Sequence, residues 1–104
     1  MLDISNGKIV RVIFLTREYG PDSHQLFDYI SGLNDDEKTS LVALMWIGRE
    51  TFEADELIEA RNVARAEATA PTESYLSGIP DLAEYLEDGL EALGIDVTDA
   101  EEHM

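Results

Sequence analysis

Apolar residues recur along this chain at spacings of three and four, with breaks at glycine and proline, and that rhythm predicts short helices. Between Ser5 and Glu18 the run Ile9, Val10, Val12, Ile13, Phe14, Leu15 would suit a strand on local propensity. The pairs Ile9/Ile13 and Val10/Phe14 have helical spacing, Ser5 is placed to cap, and no second strand-like segment exists to pair with it. The segment therefore reads as a helix. Gly20-Pro21 breaks it, and Asp22 with Gln25 resembles a capping box opening a short helix through Leu26, Phe27 and Ile30 to Gly32. Asn34 with Glu37 repeats the device, with Asp35 and Asp36 favourably placed in the first turn.

The helix that Asn34 opens runs to about Gly48 and is apolar on nearly every side from Leu41 to Ile47, which predicts a helix surrounded by others with Met45 and Trp46 at the core. A further helix from about Glu53 carries Leu57, Ile58, Val63, Ala64 and Ala68 and stops before Pro71, its alanines suggesting close helix contact. Then come a helical turn at Tyr75-Leu76, closed by Gly78, and a last helix from Pro80 to Leu93. Leu82, Leu86, Leu90 and Leu93 form its apolar face with Tyr85 beside them, and Gly94 suits a left-handed cap. The fold class expected is all-α, a compact bundle of five to six short helices. Residues 1–98 form one domain on this reading, and 99–104 a flexible acidic tail.

Composition does not overturn that picture. At 104 residues and 44% hydrophobic, the chain can build one core in spite of its charge. The formal charge of -16 changes the view of partners: 23 acidic residues stand against 7 basic ones. Residues 1–52 hold 8 acids and 5 bases, whereas residues 53–104 hold 15 acids and 2 bases. Direct binding to nucleic acid or to an anionic membrane gains affinity from Lys and Arg and is disfavoured, so a basic protein surface is the natural complement. No cysteine is present, which excludes disulfides, thiolate zinc sites and cysteine nucleophiles. With the longest apolar run far short of a membrane span, a cytoplasmic location is expected.

Little in the sequence suggests catalysis. His24 and His103 lack the i, i+4 spacing of a helical metal site, and Ser23 beside His24 reads as a helix cap rather than a nucleophile. Carboxylates are abundant, but none is marked as one of a contrasting acid and base pair. Asp35-Asp36-Glu37 and the 96–102 acids lack the glycine and alternation of a calcium loop. No phosphate loop or dinucleotide fingerprint is present, Gly78, Gly89 and Gly94 being read as helix or helix-end glycines. Core packing is the expected role of Trp46, Tyr75 and Tyr85. Catalytic, cofactor and metal residues are therefore expected to be none.

One array stands out. Asp81, Glu84, Asp88 and Glu91 recur at steps of three, four and three on the last helix, and Glu87 widens the stripe they form beside the leucines. Like charges so spaced cost a helix a few tenths of a kcal/mol per pair, and no lysine relieves them. Arg61 and Arg65 are the cations that could pair with these acids inside the fold. Along the axis the charges lie about 5 Å apart at about 1.5 Å per residue, sparser than a phosphate backbone but comparable to it.

Three blocks resemble a small helical protein family of unknown function, found mainly in alphaproteobacteria. They are Met1-Leu2-Asp3-Ile4-Ser5; Gly32-Leu33-Asn34-Asp35-Asp36-Glu37 leading into Leu41 through Arg49; and Tyr75 through Pro80 leading into Tyr85-Leu86-Glu87-Asp88-Gly89-Leu90. The resemblance implies a helical first segment and supplies no catalytic residue. Family members usually hold a longer acidic insertion where this chain has the short stretch from Tyr19 to His24.

The function expected is a non-enzymatic, acidic protein-binding module that docks on a basic surface through Asp81, Glu84, Glu87, Asp88 and Glu91. The alternative is a nucleic-acid-mimicking inhibitor, of phage or mobile-element type, that blocks a nucleic-acid-binding effector such as a CRISPR protein. An enzyme using carboxylates is the reading from another class. A homodimer would follow if part of the hydrophobic central helix were left exposed.

Overall fold

Helix starts in this molecule are set by side chains that accept otherwise unpaired backbone N–H groups. The computed structural model describes residues 2–67 and 71–96. Ser5 Oγ accepts from Lys8 N at 3.2 Å and opens α1 (Asn6–Tyr19). Ser23 Oγ accepts from Leu26 N at 3.2 Å and opens α2 (His24–Ser31). Asp22 is therefore not the cap expected: the turn opened at Gly20 runs on to Ser23, whose N–H donates to the Gly20 carbonyl, and helical backbone begins only after it. Asn34 opens α3 (Asp35–Gly48) with the full reciprocal capping box, Asn34 Oδ1 accepting from Glu37 N at 2.7 Å and Glu37 Oε1 from Asn34 N at 3.0 Å.

After α3 a single 3₁₀ turn (Ala54–Glu56) leads into α4 (Leu57–Ala66), followed by α5 (Thr72–Leu76) and α6 (Leu82–Ala92). Pro80 is not the first helical residue of α6 as expected, because it lies with Asp81 in a turn where Leu82 N donates to Ile79 O. Gly94 does take the left-handed conformation, φ 71°, with Gly94 N bonded to Glu91 O and Ile95 N to Leu90 O, the paired closure of a Schellman motif. The end of α3 repeats that closure with Glu50 at φ 67° where glycine would be expected. Ala68 and the 99–104 tail lie outside the described residues. No strand occurs among the described residues, and the fold is an all-α bundle. No described helix is long and apolar enough to cross a membrane.

Helix α3 is the centre, packed against α4, α5 and α6, while α1 packs against α2 and α6 and α5 also meets α2. Leu41 to Ile47 are all buried within the bundle, as expected of a helix surrounded by others. A Cα radius of gyration of 12.3 Å matches the value of about 13 Å for a folded chain of this size. Before α1, the N-terminal arm is tied down by Asp3 N donating to the fully buried Ser40 Oγ at 2.8 Å.

Two residues assigned to apolar faces by spacing point outward. Ile58 is 71% exposed, because α4 meets α3 through the small residues Ala60 and Ala64, and two residues of helix turn Ile58 by about 200° from Ala60. Phe14 is exposed too, with the Arg11 guanidinium 5.7 Å from its ring centroid.

The α3–α6 contact depends on two glycines. A Cβ added at Gly48 would lie 1.6 Å from the Tyr85 carbonyl oxygen, and one at Gly89 would lie 2.5 Å from the Leu44 carbonyl oxygen. Leu44 and Gly48 on α3 thus cross Tyr85 and Gly89 on α6 with backbone nearly touching backbone. That crossing fixes which face of α6 turns inward.

Candidate functional site

With Gly89 against α3, the residues Leu82, Leu86 and Leu90 are buried and the opposite side of α6 is forced outward. Asp81, Glu84, Asp88 and Glu91 are all exposed on that side. None of the four side chains makes an ion pair or hydrogen bond among the described residues. The stripe expected from spacing is thus assembled, less one member. Glu87 is only partly exposed and turns to α1, where both Arg17 Nη atoms donate to its carboxylate, Nη1 at 2.7 Å. That bidentate bond holds the Glu87 carboxyl below the usual carboxylate range. Glu87 belongs to the fold more than to the stripe.

Most of the positive charges are committed away from the stripe. Five of the seven basic residues form ion pairs, each joining two separate segments. Lys8 on α1 meets Glu37 on α3 at 2.5 Å, Lys38 on α3 meets Glu73 on α5 at 3.3 Å, and Arg65 on α4 meets Asp36 on α3 at 3.1 Å. Arg61 on α4 holds Asp3 of the N-terminal arm. Neither Arg61 nor Arg65 meets the α6 acids. The hydrogen bond from Lys8, with a second from Asn34 N, lowers the Glu37 pKa; Glu37 in turn raises that of Lys8. Glu73 is held low by its own backbone N–H, helped by Lys38, against the opposite effect of burial.

The aromatic residues divide. Trp46 is buried and stacks on Phe52 with ring centroids 5.7 Å apart, and its Nε1–H donates to Tyr75 Oη at 3.0 Å. Tyr85 is half-buried, but Tyr75 is 40% exposed and serves as a polar lid on Trp46 rather than as core. His24 is exposed at the start of α2, and His103 lies outside the described residues. Glu53, Asp55 and Glu56 bring carboxylate oxygens within 4.8 Å of one another among the described residues, on a turn that is largely open to water. Spacing had not singled these three out, since the 3₁₀ turn that gathers them has no periodic signature.

Two hollows flank the stripe. A small one of about 170 Å³ at the start of α6 is lined by Thr16, Arg17, Pro80, Asp81, Ala83 and Glu84. A larger one of about 500 Å³ lies at its other end, where Ala92 faces the end of α3 and the loop that follows.

Comparison with known proteins adds a family and nothing on activity. No curated protein matches, and no solved structure matches. Residues 23–95 match the model of a family described as protein of unknown function (DUF3775), and the chain belongs to that family. The matched span contains the Gly32–Arg49 and Tyr75–Leu90 blocks and leaves out the block at the N-terminus.

Proposed function

We propose that this member of the DUF3775 family is a binding module whose α6 face docks on a basic protein surface. The observation that carries this reading is the contrast in charge use: five of the seven bases are drawn into ties between segments, while Asp81, Glu84, Asp88 and Glu91 are exposed side by side with no ion-pair partner among the described residues. Such a face raises encounter rates with a cationic partner and sets its register. A role in binding rather than catalysis is supported by the uniformity of the stripe, because acid and base work needs two carboxylates in contrasting environments. A bacterial, cytoplasmic setting belongs to this reading and fits a chain without cysteine.

The direct test is affinity capture from the native host with the wild-type chain and with the triple variant Glu84→Lys, Asp88→Lys, Glu91→Lys. The captured partner should be basic and should be lost with the variant; unchanged capture would sink the proposal. A second reading, mimicry of nucleic acid, is favoured by the axial steps of about 4.5–6 Å between the four acids. Duplex DNA or RNA should then displace the chain from its partner, and failure to compete removes mimicry while leaving docking intact.

A further inference from the structure

We propose that the hollow at the end of the acidic stripe is an anchor pocket for one arginine side chain of the basic partner. The inference rests on the reading of α6 as a docking face and names what that face receives. The pocket is lined by Ile47, Glu50, Phe52, Glu53, Ala54 and Ala92, and its volume of about 500 Å³ falls within the range of about 300–1,000 Å³ typical of ligand sites. Ala92 follows Asp88 by one helical turn, so the hollow continues the line of Asp81, Glu84 and Asp88.

Its chemistry is divided in the way an arginine is. Ile47, Phe52, Ala54 and Ala92 supply apolar lining for the methylene stem, while Glu50 and Glu53, both exposed, line the same hollow and supply carboxylates for the guanidinium. Phe52 is partly exposed and backed by Trp46, giving a supported ring on which a planar guanidinium can stack; a lysine ammonium cannot exploit that plane as well. Both acids rise from fixed backbone. Glu50 N is bonded to Ile47 O at 3.0 Å and Thr51 N to Trp46 O at 2.9 Å, and Glu53 N donates to Glu56 Oε1 at 2.8 Å. Arg49, the nearest cation in sequence, donates Nε–H to Thr51 Oγ1 at 3.4 Å and does not line the hollow.

The test is a titration of the isotope-labelled full chain followed by amide NMR, with hexa-arginine and hexa-lysine peptides as probes. Hexa-arginine should shift the amides of Glu50, Phe52, Glu53 and Ala54 together with those of Glu84, Asp88 and Glu91, and hexa-lysine should shift the second group with a weaker response from the first. The double variant Glu50→Gln, Glu53→Gln should lose the pocket response, keep the stripe response and bind hexa-arginine about fivefold more weakly, as expected for two solvent-exposed ion pairs. A stripe response with a silent pocket, an equal pocket response to both peptides, or a double variant that binds like the wild type overturns the anchor and leaves the docking reading standing. If neither group responds to either peptide, the docking reading fails and takes the anchor with it.

Discussion

The two faces of α6 obey opposite rules. The inner face meets α3 so closely that Gly89 has no room for a Cβ, and buries Leu82, Leu86 and Leu90 almost completely. The outer face exposes four acids in adjoining positions, with no cation paired to them among the described residues. Burying a leucine contributes about 1.5–3 kcal/mol, whereas a like-charge helical pair costs a few tenths. The inner face outweighs the outer one by an order of magnitude, so the fold tolerates a stripe that does nothing for it. Mutations should therefore separate cleanly, inner ones acting on stability and outer ones on binding.

The largest effect should come from Gly48→Ala. Its Cβ would fall 1.6 Å from a backbone oxygen, which no rotamer change can relieve, so the helices must part at a cost of about 3 kcal/mol or more. Gly89→Ala should behave alike, although at an uncrowded helix position the same change stabilises by up to about 1 kcal/mol. Gly7→Ala supplies that control, because nothing lies within 4 Å of its added Cβ and α1 should gain about 0.5 kcal/mol. Thermal melts of the three variants read the sign; a Gly48→Ala protein as stable as wild type would show that the helices do not touch as described.

This crossing marks where the sequence stopped being informative. The all-helical class, the Asn34–Glu37 box, the buried Leu41–Ile47 run and the left-handed Gly94 follow from local patterns that tertiary packing had no reason to override. Gly48 and Gly89 carry no such mark. Each looks like an ordinary glycine at the end of or within a helix, and their meeting depends on how two distant segments cross. The same holds for the ion pairs: spacing located the α6 acids but could not show that Arg17, 70 positions away, takes Glu87 from the stripe. A glycine inside a strong helical pattern was the one available hint, and it pointed to close packing rather than to α3.

Acid titration should distinguish the ties from the stripe by sign. Glu37, Glu73 and Glu87 all have pKa values below their ordinary 4.5, so their contribution is present above that value and is lost as pH falls through their lower folded-state values. Falling pH also reduces the net negative charge, which relieves self-repulsion. Stability should therefore hold or rise slightly on the way down to about pH 4.5 and decline below it. Glu37→Gln should blunt the decline, since a glutamine can still accept from Asn34 N but does not titrate. An identical acid limb in wild type and variant would remove Glu37 from the set. On the alkaline side the raised pKa of Lys8 keeps its contribution complete below 10.5, with loss only as pH passes its higher folded-state value.

A smaller effect, and one that tests stability against binding, is expected at Glu50. At φ 67° a side chain costs about 1 kcal/mol that glycine avoids, so Glu50→Gly should stabilise by roughly that amount in chemical denaturation. The same change removes a lining acid from the arginine pocket, so higher stability should come with weaker binding of hexa-arginine. A variant that is more stable and binds equally well would make Glu50 a mere cap.

The smallest change in stability, and the sharpest test of the outer face, is Glu91→Lys. The last turn of α6 has no basic residue, and a lysine there would complement the helix dipole and stand three residues beyond Asp88, so stability should rise by about 0.5 kcal/mol. Partner capture should fall, because a cation then occupies the end of the stripe. If stability drops instead, Glu91 supports the fold and the division between the faces is wrong. If stability rises and capture is unchanged, the exposed acids are only a solvated surface. Only a chain that becomes more stable and binds less well shows that the unrelieved charge is kept for a partner.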